Sequence, residues 1–557
     1  MLKIFIYSLI ISILFTPFGV FFIGNQRRSL YLFAKELIYG LIVLSFIAIL
    51  VNFFYPLNIY VNSIILLFFL IIFIKYKEYY FNFKFLIFAI ILSFLITLLI
   101  TESNVYRPDA GLYHLPFIGI LNSEKIIIGL SNLHFRYGHT SVIQHLSAIS
   151  NNLIFKNNGI VYAQAILAAA VIINFVYQIY NYNRNKIYNF HFFFLLFVLI
   201  YIFYKMNRYG EYGNDAPAHF LVFFLISEII LYKDKIKQSE FINHLILTLF
   251  IIQSKSILIV AVLLNLINLK KINLKYVVKE KKFFFLMFFF IIWILKNILT
   301  SGCAIYPLKF TCFKNLSWVD INKIENISKS SEAWSKGISN LSAEDRKKFS
   351  NLDDYLKNFS WITTWSNTHL KHILNLQIPY IALCLIILCI IKFRSKNKNI
   401  KIDKFYYNLI IILFICSFAW FIKAPLYRYG YSLPVSFFSL IFALTSIKSN
   451  LNTRRIYILC NVLLIFGISG MFTKNIIRIF NNDNNYNNYP WPKYYSMGED
   501  NLMVNYYEEK LGYKKILVPI QNGNCMYIKN ICSHDHLDKN LNIKNLKGYD
   551  IIYFNYK

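Results

Sequence analysis

Charged residues are scarce in this sequence, and acidic residues are the scarcest of them. Only 15% of the 557 residues are charged, with 27 Asp and Glu against 58 Lys and Arg. An ordinary soluble domain has about a quarter of its residues charged, so the composition argues against a soluble globular protein. We find no internal repeat at solenoid period. The first apolar run lacks a small-residue cleavage site and further runs follow it, which argues against a cleavable signal peptide.

Apolar residues are abundant instead. They make up 57% of the chain, and the mean hydropathy is +0.48. Because apolar runs near the length of a membrane span recur, the sequence predicts an all-α polytopic membrane protein with about 13 to 14 transmembrane helices. The expected helical segments are 4–24, 36–55, 58–75, 84–101, 158–178, 188–205, 216–232, 242–254, 256–269, 283–299, 377–393, 406–423, 430–447 and 456–472.

Lys and Arg are concentrated in short loops between the apolar runs, for example Arg27, Arg28 and Lys35. This distribution follows the positive-inside bias, so the formal charge of +31 does not indicate nucleic acid as a partner. If every basic loop is cytoplasmic, the N-terminus faces the other side. The other non-cytoplasmic regions are then the loops at 102–157, 206–215 and 300–376, and the tail at 473–557.

The domain organisation follows from this topology. Residues 1–472 are expected to form the membrane domain. The tail at 473–557 begins with an Asn-rich linker and continues with strand-like runs such as KKILVPI and YDIIYFNY. A segment of about 85 residues can bury a modest core, so we expect a small extracytoplasmic α/β unit there.

The apolar stretch at 242–269 is interrupted at Lys255. Basic loops flank the stretch on both sides, so a single span would move one of them to the non-cytoplasmic side. Both basic loops stay on the cytoplasmic side, as the positive-inside bias requires, if the stretch is a hairpin that turns at Lys255. A lysine at the far membrane face suits an anionic ligand, and a lysine that snorkels to the interface explains it equally well.

The eight cysteines divide into two groups. Four lie in predicted spans, where they are expected to be apolar packing residues: Cys384, Cys389, Cys416 and Cys460. The other four form two closely spaced pairs on the non-cytoplasmic side: Cys303 with Cys312, and Cys525 with Cys532. Such pairs predict local disulfides in an oxidising compartment. A zinc site is the weaker interpretation, because neither pair has the two-residue spacing of a zinc knuckle.

The loop at 102–157 carries a phrase, DAxxYHLP, that resembles the GT-C superfamily of membrane glycosyltransferases. Its matching residues are Asp109, Ala110, Tyr113, His114, Leu115 and Pro116. The following segment IIIGLSNLHFRYGHTS (126–141) resembles a group of bacterial membrane proteins with a GLxNLHxRxG phrase. The segments GNDAPAHF (213–220), SGCAIYP (301–307) and KAPLYRYG (423–430) are similar to theirs, as is the Cys pair of the tail. GT-C enzymes usually carry the acidic loop after the first span, whereas here it follows the fourth predicted span.

The resemblance implies a GT-C-like helical bundle in the cytoplasmic (inner) membrane, with periplasmic catalytic loops and C-terminus. It implies transfer of a sugar from a polyprenyl-phosphate-linked donor to a surface glycan, lipid or protein acceptor. Membrane lipids are the remaining expected partners, and no cofactor is implied. The histidines of the loop lack His-x-x-x-His or Glu-x-x-His spacing, so no metal site is expected there.

Three residues are expected to carry the chemistry. Asp109 is the expected general base for the acceptor hydroxyl, and the structural alternative is a helix N-cap. His114 is expected to orient Asp109 or to bind sugar, because it lies about one helical turn away if the segment is helical, and the alternative is an interfacial histidine. Asp215 is the second expected carboxylate, and its alternative is again an N-cap.

Five residues are expected to bind the substrate or the lipid phosphate: Tyr113, Arg136, His139, Lys255 and Arg428. Arg offers a planar fork for phosphate oxygens and Lys a point charge. Each cation is also explained by contact with lipid headgroups. The tryptophans of the large loop can stack on sugar rings or form an interfacial belt: Trp318, Trp334, Trp361 and Trp365.

Two other functions compete with glycosyl transfer. A polysaccharide polymerase or ligase of surface-glycan assembly would also use external arginines and carboxylates on a polyprenyl-linked donor. The third hypothesis is a transporter. Transporters usually show an internal repeat and buried charges near the membrane midplane. In this sequence the ionisable residues gather in external loops, which favours an enzyme.

Overall fold

The structure is a computed structural model of the chain. It describes residues 2–24, 29–101, 109–139, 141–205, 213, 215–393, 402–449, 452–480, 505–520, 524–534 and 536–555. Most of the predicted loop at 206–215 and the Asn-rich linker of the tail lie outside the described residues.

Among the described residues, eight helices are long and apolar enough to cross a membrane: Ile4–Ile23, Leu30–Asn52, Phe83–Ile100, Asn157–Arg184, Lys281–Ser301, Ile362–Lys392, Lys404–Lys423 and Thr453–Ile477. Three shorter apolar helices accompany them: Ile59–Lys75, Phe190–Lys205 and Ser432–Ile447. Apolar runs fold this way because a bilayer core offers the backbone no water to bond. The protein is therefore a mostly helical, multi-pass membrane protein.

The helices are arranged around one central element. The span Asn157–Arg184 is 94% buried, whereas Thr453–Ile477 is only 17% buried and lies at the periphery. The central helix contains a run of small residues, Ala168 to Ala170, that are fully buried. Small side chains let helices approach closely in a membrane, which explains why this helix occupies the centre.

Two predicted spans are short helices with polar ends, Asp215–Leu231 and Gln238–Ser254. The helix Gln238–Ser254 ends at the predicted position: Lys255 has extended backbone angles, and a 3-10 helix, Ser256–Ala261, follows it. The chain then folds back on itself. Nδ2 of Asn265 donates to Oγ1 of Thr248 at 2.8 Å, as an antiparallel hairpin centred near Lys255 requires. The remaining short turns of this arm are Val262–Asn265, Leu266–Lys271 and Leu274–Val277.

The first basic loop is shorter than the sequence indicates. The helix begins at Leu30, so Lys35 lies inside it and is only 4% exposed. Its ammonium forms an ion pair with Glu228, which is also buried, and lies 3.3 Å from the hydroxyl of Tyr232. A buried charge needs a partner, and Glu228 comes from a distant helix that sequence periodicity does not identify.

The large predicted loop at 300–376 forms a helical layer with its own core. Its α-helices are Ile321–Ser335, Ala343–Arg346 and Leu352–Leu356. The apolar helix Ile362–Lys392 begins inside the predicted loop with the short segment Ile362–Trp365. The core of this layer contains Ala333, Tyr355, Trp361 and Trp365, all buried. Trp361 and Trp365 therefore serve as core residues, and Trp334 is the tryptophan of this group that stays 44% exposed.

Between residues 505 and 555, the described part of the tail contains two antiparallel β-hairpins and no helix. The first pairs β1 (Tyr506–Leu511) with β2 (Lys514–Pro519), and the second pairs β3 (Leu541–Leu546) with β4 (Tyr549–Phe554). The α part of the expected α/β unit is thus not found in the described residues. The helix before the tail, Thr453–Phe480, also extends past the expected boundary at 472.

The tail is packed onto the loop that carries Asp109. Ile128 forms a parallel bridge with β4: its amide donates to the carbonyl oxygen of Asp550, and the amide of Ile552 donates to its carbonyl oxygen, both at 2.9 Å. That loop contains the short helices Leu115–Ser123 and Val142–Ile149 with helical turns at 110–114, 130–132, 135–138 and 157–161. The tail and this loop therefore form one packed surface.

Candidate functional site

Four charged side chains from four separated parts of the chain meet at one place: Asp109, Asp215, Lys255 and Arg428. Nη1 of Arg428 lies 2.7 Å from Oδ2 of Asp109, and the Lys255 ammonium pairs with Asp215. The two pairs are joined, because Nζ of Lys255 donates to the backbone carbonyl oxygen of Arg428 at 3.3 Å. We call these four residues the charged cluster.

Asp109 immediately precedes the short helical turn Ala110–His114, which is the position of a capping residue. Its side chain makes no capping hydrogen bond there and accepts one from Arg428. The carboxylate is 31% exposed. Asp109 is therefore directed into the charged cluster and remains accessible to a ligand.

Arg428 lies on a turn whose backbone is held by tryptophan side chains. The indole nitrogen of Trp365 donates to the carbonyl oxygen of Pro425 at 2.8 Å. The indole nitrogen of Trp420 donates to the carbonyl oxygen of Leu426 at 3.2 Å. Because these donors fix the turn before any ligand binds, the direction of the Arg428 side chain is set by the fold.

His219 adds a third anchor to the same turn. Its Nε2 lies 3.0 Å from the carbonyl oxygen of Arg428, and its Nδ1 lies 2.7 Å from the hydroxyl of Ser432. A carbonyl oxygen only accepts, so Nε2 carries the hydrogen and Nδ1 accepts from Ser432. His219 follows Asp215 by four residues on the same helix, so both side chains lie on one face.

Aromatic rings surround the two cations. The Lys255 ammonium lies 4.3 Å from the centre of the Tyr429 ring. The Arg428 guanidinium lies 5.4 Å from the same ring and 5.6 Å from the centre of the Trp334 ring. Such cation–π contacts favour the charged forms of both side chains. Trp334 reaches the cluster because Glu332 of its helix pairs with Lys423 at the start of the turn.

Tyr113 and His114 lie next to the cluster. Burial raises the pKa of the Tyr113 hydroxyl well above its ordinary value, and the negative charges of Asp109 and Asp215 act in the same direction. The Nδ1 atom of His114 accepts a hydrogen bond from the side-chain amide of Gln144, at 3.1 Å. Burial lowers the pKa of His114 to about 4, so it is a neutral imidazole at physiological pH.

Arg136 and His139 occupy a neighbouring position. The Arg136 guanidinium lies 4.7 Å from the ring centre of Phe135 and 5.8 Å from that of Tyr113. His139 packs against Tyr306, with ring centres 5.0 Å apart, and burial lowers its pKa to about 4. Arg136 thus contacts Tyr113 beside the charged cluster, and His139 contacts Tyr306 and Phe135. Lys255 and Arg428 belong to the cluster directly.

The expected cysteine pairs are both bonded in the structure. Cys303 is joined to Cys312, with Cα atoms 3.8 Å apart, and Cys525 to Cys532, with Cα atoms 6.0 Å apart. Within the described parts of the chain, no group of three or more His, Cys, Asp or Glu side chains is arranged to hold a metal ion.

Sequence reasoning missed three residues at this site: His219, Tyr429 and Gln144. His219 had a usable signal, since it follows Asp215 by one helical turn. For Tyr429, the only signal in the sequence was its position next to Arg428. Gln144 forms a capping box with Ser141 at the start of a helix, and this local role accounts for a Gln at that position. Its hydrogen bond to His114 could therefore be found only from the tertiary structure.

The chain matches the family model described as "Domain of unknown function (DUF8201)" over residues 1–435. It belongs to this family. The DUF8201 match contains all four residues of the charged cluster and ends before the tail. No curated protein and no solved structure matches the chain.

The arrangement in this DUF8201 protein suits an anionic ligand beside a hydroxyl group. The guanidinium of Arg428 has five N–H donors, and its side chain is 43% exposed. A partly exposed ion pair is worth only about 0.2–1 kcal/mol, so a phosphate can replace Asp109 as the partner of Arg428 at small cost. Asp109 is then released as a proton acceptor at the same place.

Proposed function

We propose that this protein is a GT-C-type membrane glycosyltransferase with a bundle of about 13 to 14 transmembrane helices. It moves a sugar from a polyprenyl-phosphate-linked donor to a surface glycan, lipid or protein acceptor at the periplasmic face of the inner membrane. One observation carries the proposal: Asp109 and Arg428 are in contact at 2.7 Å, beside the Asp215–Lys255 pair. A base and two phosphate-binding cations are thus within reach of one reacting centre.

The proposed step is a direct displacement. The acceptor hydroxyl oxygen attacks the anomeric carbon of the sugar while Asp109 takes the hydroxyl proton. The bond from the anomeric carbon to the phosphate oxygen breaks, and its electron pair leaves with the lipid phosphate. Arg428 and Lys255 stabilise the charge that develops on this leaving group.

The neighbouring residues have supporting roles in this step. Asp215 holds the Lys255 ammonium in place, so that the lysine is positioned before the donor enters. Tyr113 and Trp334 contribute aromatic surface beside the cluster, which suits the apolar face of a sugar ring. His114 remains neutral and orients the segment through its bond to Gln144.

The proposal is tested by lipid binding to the purified protein in nanodiscs. A polyprenyl monophosphate is expected to raise the melting temperature, and a polyprenol of the same chain length is not, because only the phosphate engages Arg428 and Lys255. Arg428→Ala should reduce the shift at the same lipid concentration, because binding is weaker. Arg455→Ala is the matched control, since Arg455 lies at the start of the outer helix Thr453–Phe480 and contacts the carbonyl oxygen of Phe393. Equal stabilisation by the alcohol and the phosphate would contradict the proposal.

Sugar transfer itself is measured in a second arm. The protein is incubated with polyprenyl-linked sugars extracted from cell membranes, and release of free polyprenyl phosphate is followed. Release should depend on added acceptor membranes and on Asp109. Release with no transfer to any acceptor would indicate a hydrolase instead.

The proposed orientation has its own test. Reporter fusions at Asn132 and Lys539 should both behave as exported, because the loop and the tail are proposed to face the periplasm. A cytoplasmic signal from either fusion would reverse the proposed orientation.

A further inference from the structure

The disulfide-closed loop of the tail, residues 525–532, lies along the helix that begins just after Asp109. The amide of Met526 donates to the carbonyl oxygen of Gly111 at 2.9 Å. Further along, the Tyr527 hydroxyl donates to Oδ1 of Asn122 at 3.0 Å. The loop thus contacts both ends of the segment 110–123.

Two glycines of this segment allow the close approach. A Cβ atom on Gly119 would lie 1.9 Å from the carbonyl oxygen of Ile528, a distance that no side chain tolerates. A Cβ atom on Gly111 would lie 2.3 Å from Sδ of Met526. Helix and loop are therefore fitted closely: the Ile528 backbone lies against Gly119, and the Met526 side chain lies against Gly111.

The loop is itself held rigidly. Cys525 and Cys532 are bonded to one another and fully buried. The Tyr506 hydroxyl of β1 donates to the carbonyl oxygen of Cys525 at 2.7 Å. On the other side, the Tyr137 hydroxyl donates to the carbonyl oxygen of Cys532 at 2.8 Å. Each end of the loop is thus fixed, one to the tail hairpin and one to the external loop.

We propose that the disulfide-closed loop 525–532 is the positioning element for Asp109. Gly111 follows Asp109 by two residues, so a loop that fixes Gly111 also fixes where the Asp109 carboxylate meets Arg428. The loop touches the helix backbone and not the reacting groups, so its residues are positioning residues. The functional consequence rests on the proposed glycosyl transfer, whereas the positional claim does not.

The positional claim is tested by hydrogen–deuterium exchange of the peptide that covers 110–123, in the full-length protein. Replacing Cys525 and Cys532 together by Ser should increase exchange in this peptide. The matched control replaces Cys303 and Cys312 by Ser, because that disulfide belongs to a separate buried cluster with Tyr306 and Ile324. Unchanged exchange in the first variant, or equal increases in both, would overturn the proposal.

A glycine series provides a second, independent test. Gly119→Ala should increase exchange strongly, because the Ile528 oxygen cannot rotate away. Gly111→Ala should have a smaller effect, because the Met526 side chain is flexible, and adding Met526→Ala should restore exchange to the wild-type level. Gly470→Ala is the control, since a Cβ atom there meets nothing within 4 Å. A Gly111→Ala effect that Met526→Ala does not relieve would contradict the assigned contact.

The functional arm separates positioning from simple loss of fold. A displaced base should lower kcat by about a hundredfold, while binding of polyprenyl monophosphate, which depends on Arg428 and Lys255, stays within about twofold of wild type. Equal loss of binding and kcat in Gly111→Ala would indicate general unfolding and overturn the positioning role. If wild-type protein transfers no sugar, the exchange results still decide the positional claim, and the proposed function alone fails.

Discussion

Asp109 and Arg428 are 319 residues apart in the sequence and form an ion pair of 2.7 Å. Asp109 precedes a helical turn of the loop at 102–157, and Arg428 lies on a short turn between two late helices. The pair connects an early and a late part of the chain at a partly exposed point.

Asp109→Asn is expected to fold normally and to lose about 10²- to 10⁴-fold in transfer rate, the effect of losing a positioned base. The amide keeps the size of the side chain and can still accept a hydrogen bond from Arg428. Initial rates with polyprenyl-linked sugar, at matched expression and melting temperature, measure this. Asp403→Asn is the control, because Asp403 caps a helix and pairs with Lys233 at 2.9 Å away from the site. Full activity of Asp109→Asn would remove this residue from the mechanism.

Arg428 is expected to act mainly through the phosphate of the donor. Arg428→Ala should weaken binding of polyprenyl monophosphate by about tenfold or more, the loss expected for a charge-assisted contact of 1.5–3 kcal/mol. Arg428→Lys should recover part of this affinity, because it restores the charge without the fork. Titration in nanodiscs measures both. Equal affinity of the Ala variant and wild type would assign phosphate binding elsewhere.

The stability of the protein should fall on mild acidification, in part through His114. Burial lowers its pKa from an ordinary value of 6.5 to about 4, so the unfolded chain binds a proton more readily than the folded one. The stability that neutral His114 contributes is complete above pH 6.5 and falls as the pH falls toward 4. At pH 5 the protein has lost about 2 kcal/mol of this contribution. His114→Gln should therefore show a smaller drop in melting temperature between pH 7.5 and 5. Identical drops would show that His114 does not control this response.

The buried pair of Lys35 and Glu228 should respond asymmetrically to substitution. Glu228→Gln leaves a buried ammonium without its counter-charge and should destabilise the protein by about 3–5 kcal/mol. Replacing both residues together, Lys35→Met with Glu228→Leu, should cost much less because no charge remains buried. Melting temperatures of the single and double variants measure this. A double variant less stable than the single one would contradict the explanation.

Cys525 and Cys532 are expected to be linked in protein isolated from membranes. Peptide mapping without reduction should find the two peptides joined by a disulfide. Cys384 and Cys460, which are buried free thiols in helices, should be alkylated after denaturation and serve as the internal control. Alkylation of Cys525 and Cys532 without prior reduction would disprove the link.

Much of the helical architecture followed from local pattern. Apolar runs predicted helices near their observed positions, because a bilayer leaves the backbone few other ways to satisfy its hydrogen bonds. The break at Lys255 followed from the charge of its flanking loops. The local pattern failed at Lys35, which was predicted to lie in a basic loop. In the structure it is buried and pairs with Glu228. A partner on a distant helix leaves no signal in the local sequence.

The candidate residues were predictable by type, and their arrangement was not. The sequence by itself determined that the candidate carboxylates and cations lie near the ends of helices, because charge is excluded from lipid. Only the tertiary structure decided that Asp109 pairs with Arg428 and not with His114, and that Asp215 pairs with Lys255. It also decided that the tail packs on the Asp109 helix. The Asp109–Arg428 pair joins residues 319 apart and the Asp215–Lys255 pair joins residues 40 apart at the ends of different helices. The tail contact depends on the glycine fit at Gly111 and Gly119. Helix packing, not local propensity, brings such segments together.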